Sequence, residues 1–596
     1  MSRRQVIAAG TTGLIAATAA GPARAAARGR PEAADGTPEQ VHLTWGSDPT
    51  RMVTVSWASP GRAERPRVRI GQRVIAAAER ACTDPLTGAV TWTYHATVDG
   101  LRPGATYGYA VTADNDASAA DPFSATFTTA PGGRAAFRFT SFGDLAAGPE
   151  PGGTGSSSTG ASSAGPSVAG PSVAGPGGAG VEAAYAVGAV EAFQPLFHLL
   201  NGDPAASRNP GAVTPGGRAQ ARRDFGNNVQ ASAAYRPWLP VPGDYELEPG
   251  GAEHGLASYL TRYTLPPNGV EGLEGRWYAF RVGTVLFVCL SGDDVAFGSA
   301  GGGAFGGGGG GGPLPPGPAG GPPAAAAARY GRGYSGGTQT RWLESALAAA
   351  RADASIDWIV VQLHQCACSS APGGGSSDLG VRQEWLPLFD TYEVDLVLSG
   401  HDHGYERSFP VRGADAGAGT DIATGAAADT RRPHPVTGVD SGVFDTSQGT
   451  VHLVLGSGTP DPGGPDGPWA SARVARVITR PAPSAADPRP AADQRATGRP
   501  GRPGPDAVEA ATWSARRGPA AGYGIAVFDV SPGSEAGGQT SITVRYYQAV
   551  GPELADADLV GPAAGGPGST AGDYTHFETF TLVRPRSDGR RWHLKA

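Results

Sequence analysis

The sequence predicts an α/β domain preceded by an all-β sandwich. Short alternating runs recur over residues 38–131, and beyond them apolar runs alternate with helical stretches. Gly and Pro, 93 and 53 residues of 596, are clustered in tracts, so the folded parts are smaller than the length suggests.

The front contains "EQVHLTWGS", "RMVTVSWASP", "WTYHATVDGL", "TYGYAVTAD" and "FSATFTTAP". Period-two alternation and β-branched residues broken by Gly, Pro and Asp turns predict a sandwich. Trp45, Trp57 and Trp92 fall here and are assigned to its core. After "APGGR" the pattern changes. "FRFTSFGD" reads as a buried strand, and "VEAAYAVGAVEAF" and "TQTRWLESALAAARA" read as helices, so residues 132–585 form the larger α/β domain. Three tracts interrupt it, at about 148–180, 298–328 and 475–507. Their Gly/Pro/Ala-rich composition buries too little apolar area to offset chain entropy, so surface loops are expected.

A net charge of −7 gives no electrostatic case for nucleic acid, which demands clustered cations. Residues 1–25 carry Arg3 and Arg4, a weakly apolar run from Val6 to Ala20, and Ala23-Arg24-Ala25. This is a twin-arginine-type export signal, too short and too rich in Ala, Gly and Thr to span a bilayer. A secreted or cell-envelope protein without a membrane span is the expectation. Four cysteines are too few for a disulfide scaffold, Cys289 lies in an apolar run, and Cys366 and Cys368 are badly spaced for a bridge.

In the α/β part, apolar runs end in chemistry. "FRFTSFGD" ends at Asp144, "LFHLLNGD" at Asp203, "WLPVPGD" at Asp244, "DWIVVQLH" at His364, and "DLVLSGHDH" at His401 and His403. Loops leaving the carboxyl ends of parallel strands gather at one edge. Singly, a Gly-Asp is a turn and a histidine a hydrogen-bonding group. Together, six O and N donors suit Zn, Mn or Fe, in a number that fits two ions sharing a carboxylate.

The series GDLA (143–146), GDPAAS (202–207), GDYE (243–246), VVQLH (360–364) and GHDHGYERS (400–408) resembles the signature of purple acid phosphatases within the calcineurin-like metallophosphoesterases. The β-rich front is similar to that family's fibronectin type III-like domain. The resemblance implies an α+β-type β-sandwich flanked by helices and two metal ions. It assigns Asp144 and His403 to the first ion, Asp203 to the bridge, and His364, His401 and Asp244 to the second. A small phosphoester is the implied substrate.

Three departures qualify the resemblance. The family's bridging loop reads Gly-Asp-x-x-Tyr, and Ala206 stands where its tyrosinate binds, which implies a colourless pair of divalent ions, Fe, Zn or Mn. Asp244 replaces the ligand asparagine and restores the lost negative charge. Tyr245 replaces a histidine that orients phosphate and protonates the leaving group, with His254 the nearest substitute. A phenol with a reference pKa near 10 is a poor acid at neutral pH. The expectation is a hydrolase of phosphomonoesters or small diesters with weakened or altered activity; the alternative is a secreted metal- or phosphate-binding protein with impaired catalysis. The sandwich is a further candidate for cell-envelope association, and no oligomeric state is legible.

Overall fold

The computed structural model describes residues 35–83, 88, 90–118, 120–145, 181–204, 215–247, 252–298, 333–371, 377–456, 474–479, 507–518, 524–550 and 573–589. Residues 1–25, read above as an export signal, and the tract at 148–180 lie outside the described residues, as does all of the second tract except Gly298. The third tract is shorter than expected. Val474–Ile478 runs antiparallel to Ala507–Ala510, with Ala475 and Val477 buried and Val474 and Arg476 turned outward. That alternation is hidden in the Arg-, Ala- and Pro-rich composition around it.

The front folds as two four-stranded antiparallel sheets. Glu39–Thr44, Val53–Ser59, Val90–Val98 and Ala78–Thr83 form one, and Arg73–Ala76, Arg67–Ile70, Thr106–Thr112 and Phe123–Thr128 the other. Val53, Val55 and Trp57 point into the core between them. The opposite side of that strand, Thr54, Ser56 and Ala58, is buried too, because the larger domain covers it. Trp57 packs on Tyr94 at 5.7 Å, and Trp92 is half-buried under Arg62 at 5.3 Å. Trp45 is not sandwich core: it sits at the junction, 4.9 Å from Phe197 and 5.8 Å from Phe280 of the larger domain. The two parts therefore share one continuous apolar cluster.

The larger domain holds two seven-stranded sheets. In the first, Trp238–Pro240, Phe197–Leu200 and Phe137–Phe142 are parallel, followed by the antiparallel strands Gly524–Ser531, Gln539–Val550 and Asp573–Pro585. In the second, Val285–Cys289, Trp358–Gln362, Leu396–Ser399 and Val451–Leu455 are parallel. Alternation along each strand divides the side chains between faces. Phe139, Phe287, Val360, Leu398 and Phe528 meet between the sheets. Val288, Ile359, Val361 and Val397 face the helix Thr338–Ala352, while Phe142, Leu200 and Val527 face Val181–Phe193 and Pro215–Ala233. Helices thus flank a β-sandwich, the architecture the resemblance implies. Among the described residues, no helix is long and apolar enough to cross a membrane.

Several histidines are buried in neutral form. Burial, aided by the Arg382 guanidinium, pushes His452 down to about 3, and burial holds His198 well below its usual range. Between pH 6.5 and about 3 the unfolded chain binds protons that the folded chain refuses, so stability falls as pH drops. His452→Leu should remove about 1.4 kcal/mol per pH unit of that loss between pH 5.5 and 4, measured by urea unfolding of metal-free protein. Equal slopes in the two proteins would contradict the buried neutral imidazole.

Candidate metal centre

Every one of the six expected donors follows a parallel strand. Asp144 follows Phe137–Phe142, Asp203 follows Phe197–Leu200 and Asp244 follows Trp238–Pro240, all in the first sheet. His364 follows Trp358–Gln362, and His401 and His403 follow Leu396–Ser399, in the second. The Gly143 N–H donates to Leu455 O at 2.7 Å, joining the two sheets at this edge.

The backbone is forced into unusual shapes to aim these side chains. Asp144, Asp203 and His401 have φ of 60°, 50° and 70°, a left-handed region uncommon for non-glycine residues and concentrated at functional sites. Glycines allow the close approach. A Cβ on Gly400 would lie 2.6 Å from Asp144 Oδ2, and one on Gly243 would overlap the Asp203 carboxylate. The repeated Gly-Asp and Gly-His pairs are packing requirements as much as turns.

The donors converge. Asp244, His364 and His401 offer ligand atoms within 4.8 Å of one another, and Asp144, Asp203 and His364 do the same. His401 Nδ1 is 3.1 Å from Asp244 Oδ2, His364 Nε2 is 3.4 Å from Asp203 Oδ1, and His403 Nε2 is 3.6 Å from Asp144 Oδ1. Two ligands each about 2.1 Å from one ion, at tetrahedral or octahedral angles, stand about 3.0–3.4 Å apart, so the first two gaps fit shared cations and the third is slightly wider. The His364 Nδ1–H donates to Asn201 O at 2.9 Å, which turns Nε2 inward, where it faces His401 Nδ1 at 3.4 Å. Two imidazole nitrogens aimed at each other fit a cation or an added proton.

The electrostatics carry the same message. Burial alone would raise Asp144, but His364, His403 and His401 outweigh it and hold it below the usual carboxylate range. Burial likewise opposes charge on His401, yet Asp244 lifts it to about 9; Asp203, Asp144 and Asp244 lift His364 well above 6.5. Protons here occupy the electrostatic role of cations.

Supporting groups were less legible. Gln365 Nε2 donates to Asp244 Oδ1 at 3.0 Å and to Asp293 Oδ1 at 2.7 Å. Glu246 accepts the Gly243 N–H at 2.8 Å, bracing the GDYE turn. Asp293 follows the glycine of "VLFVCLSGDD", the same apolar-run-then-Gly-Asp signal as three of the expected donors, and could have been found by it. Asn201 acts through its carbonyl, for which no sequence signal exists. Arg407 forms internal ion pairs with Glu578 and with Asp440, the latter at 2.7 Å. Cys289, Cys366 and Cys368 are buried and free, and the Cys366 thiol donates to Gly400 O at 3.2 Å. Tyr245 lies in the helical turn Asp244–Leu247 and His254 in the helix Ala252–Arg262; their side chains, and all of Ala206, lie outside the described residues.

A family model described as the N-terminal domain of purple acid phosphatase matches residues 38–130. An uncharacterized protein of Mycobacterium tuberculosis is 34% identical over 589 residues, covering 97% of this chain and 93% of its own. An Fe(3+)-Zn(2+) purple acid phosphatase of Arabidopsis thaliana is 22% identical over 187 residues, 31% of this chain and 32% of that protein. The structure of a purple acid phosphatase from yellow lupin (Lupinus luteus) seeds is similar in fold, with a TM-score of 0.52 at 15% identity over 94% of this chain and 78% of that one.

Cation binding should displace protons from His364 and His401. Titrating metal-free protein with Mn²⁺ at pH 7 should release on the order of two protons per chain, read by calorimetry in buffers of different ionisation enthalpy. Asp203→Asn should weaken binding at least about 10-fold. Binding without proton release would contradict the charge arrangement.

Proposed function

Because the chain belongs to the purple acid phosphatase-like metallophosphoesterases, we propose that it is an exported hydrolase of phosphomonoesters or small phosphodiesters that works with two divalent ions. The observation that carries the reading is the convergence of three carboxylates from one sheet and three imidazoles from the other at their common edge. When bound, such a pair lowers the pKa of water and neutralises charge on the phosphoryl oxygens.

The chain's own residues set the geometry. Asp203, grouped with Asp144 and His364, would serve as the carboxylate shared by the two ions. Asp144 with His403 would hold one ion, and Asp244 with His364 and His401 the other. The carbonyl of Asn201 and the amide of Gln365 fix the orientation of His364 and Asp244. Ala206 offers no phenolate, so the first site takes a divalent ion and the protein lacks a visible charge-transfer band. Tyr245 contributes a hydrogen bond to a phosphoryl oxygen in place of an effective acid, and His254 is the nearest replacement proton donor.

A second reading follows from Ala206 and Tyr245: a secreted metal- or phosphate-binding protein with little turnover. Retention of all six donors favours the enzyme. The paired arginines and small-x-small site at 1–25 support export by the twin-arginine route, which carries folded, metal-loaded proteins. Attachment to the envelope through the sandwich is the weaker expectation, because one face of that sandwich is covered by the larger domain.

Turnover of p-nitrophenyl phosphate with added Mn²⁺, Zn²⁺ or Fe²⁺ tests the proposal. Wild-type protein should hydrolyse it, Asp203→Asn should lower kcat/KM by about 10²-fold or more, and Tyr245→His should raise kcat, with 10²-fold the scale of general-acid help. A lower rate in Tyr245→His would contradict the assigned role, and no turnover with any of the three metals would favour the binding protein.

A further inference from the structure

The helix Ala252–Arg262 runs towards the N-terminal sandwich and ends against it. An α-helix leaves its last carbonyls without intrahelical donors. Here each carbonyl from residue 260 to 264 meets a side chain of one sandwich sheet. Arg80 Nη1 donates to Leu260 O at 3.0 Å and to Tyr263 O at 3.1 Å. His95 Nε2 lies 2.9 Å from Thr261 O, His42 Nε2 lies 3.0 Å from Arg262 O, and Thr44 Oγ1 donates to Thr264 O at 2.5 Å. His42 and Thr44 share a face of Glu39–Thr44, while Arg80 and His95 come from Ala78–Thr83 and Val90–Val98.

The contact is reinforced from both sides. Arg262 donates to Gln40 Oε1, Arg223 pairs with Glu39 at 2.9 Å, and the Val41 N–H donates to Gln230 Oε1 at 2.7 Å. From the same helix, Tyr259 Oη donates to Pro240 O at 2.8 Å. Pro240 ends the strand whose loop carries Gly243 and Asp244. The chain of contacts runs from sandwich, through helix, to the loop of one metal donor.

We propose that His42, Thr44, Arg80 and His95 are positioning residues of the centre: the sandwich caps the helix that holds the Asp244 loop in register. This rests on the hydrolase reading for its effect on turnover, but not for its effect on the loop. The domain's task is then mechanical, part of the site's scaffold.

The test compares Arg80→Met/His95→Leu with the donor-retaining Arg80→Lys/His95→Gln, and with the milder Thr44→Val, all in the full chain. Amide exchange is read over residues 240–247 and 252–262, together with Mn²⁺ affinity and, where ester is turned over, kcat and KM. The donor-deleted protein should exchange about 10-fold faster in both segments and bind Mn²⁺ about 10-fold more weakly, with kcat reduced and KM little changed. The donor-retaining protein should recover most of each effect, and Thr44→Val should show them in smaller degree. Faster exchange confined to 252–262, with 240–247 and Mn²⁺ affinity unmoved, would overturn the proposal. If the double variant does not fold, Thr44→Val alone decides on the same readouts. Should wild-type protein turn over no ester, the hydrolase reading fails, and exchange at 240–247 still decides this one.

Discussion

Three buried carboxylates gathered with one buried and two half-buried imidazoles at one edge of two sheets are the constraint on which the rest of the structure turns. Burying an uncompensated charge is costly, so a cluster with this many acidic groups requires positive charge in contact with it. In the polypeptide alone that charge is supplied by protons, which is why His364 and His401 are held well above and up to about 9, respectively, while Asp144 is held low. Divalent cations meet the same requirement with geometry the side chains already have.

That requirement explains features that otherwise look costly. Left-handed backbone at Asp144, Asp203 and His401 is sustained by the strands before them and by hydrogen bonds such as the His401 N–H to Asp144 Oδ2 at 2.8 Å. The parallel strands of both sheets must end at the same edge, and the shared aromatic core, with Phe139 stacked on Phe528 at 4.4 Å and on Phe197 at 5.4 Å, fixes their spacing. The sandwich extends that core through Trp45 and caps the helix beside the Asp244 loop. Site, sheet edge and front domain form one mechanical unit.

Much of this is visible in the primary structure because its signals are local. An apolar run ending in Gly-Asp or in a histidine announces a strand and the candidate donor after it, and the six candidates share that pattern. Asp293 carries the same signal, in "SGDD". Other features have no local mark. His42, Thr44 and His95 look like ordinary alternating strand residues, and only tertiary contact reveals carbonyls more than 160 positions away. Trp45 reads as sandwich core because period two cannot say which neighbour covers a face. Val474–Ile478 was hidden by composition, because strand pairing there is settled by Ala507–Ala510 across a long insertion.

Anomalous diffraction from crystals of protein purified from its own host tests the central claim most directly. The account predicts two cation peaks about 3–4 Å apart, one on either side of Asp203, with His364 and His401 against one and His403 against the other. Crystals in which Asp203, His364 and His401 contact one another with no cation between them, in protein that retains phosphoesterase activity, would contradict it.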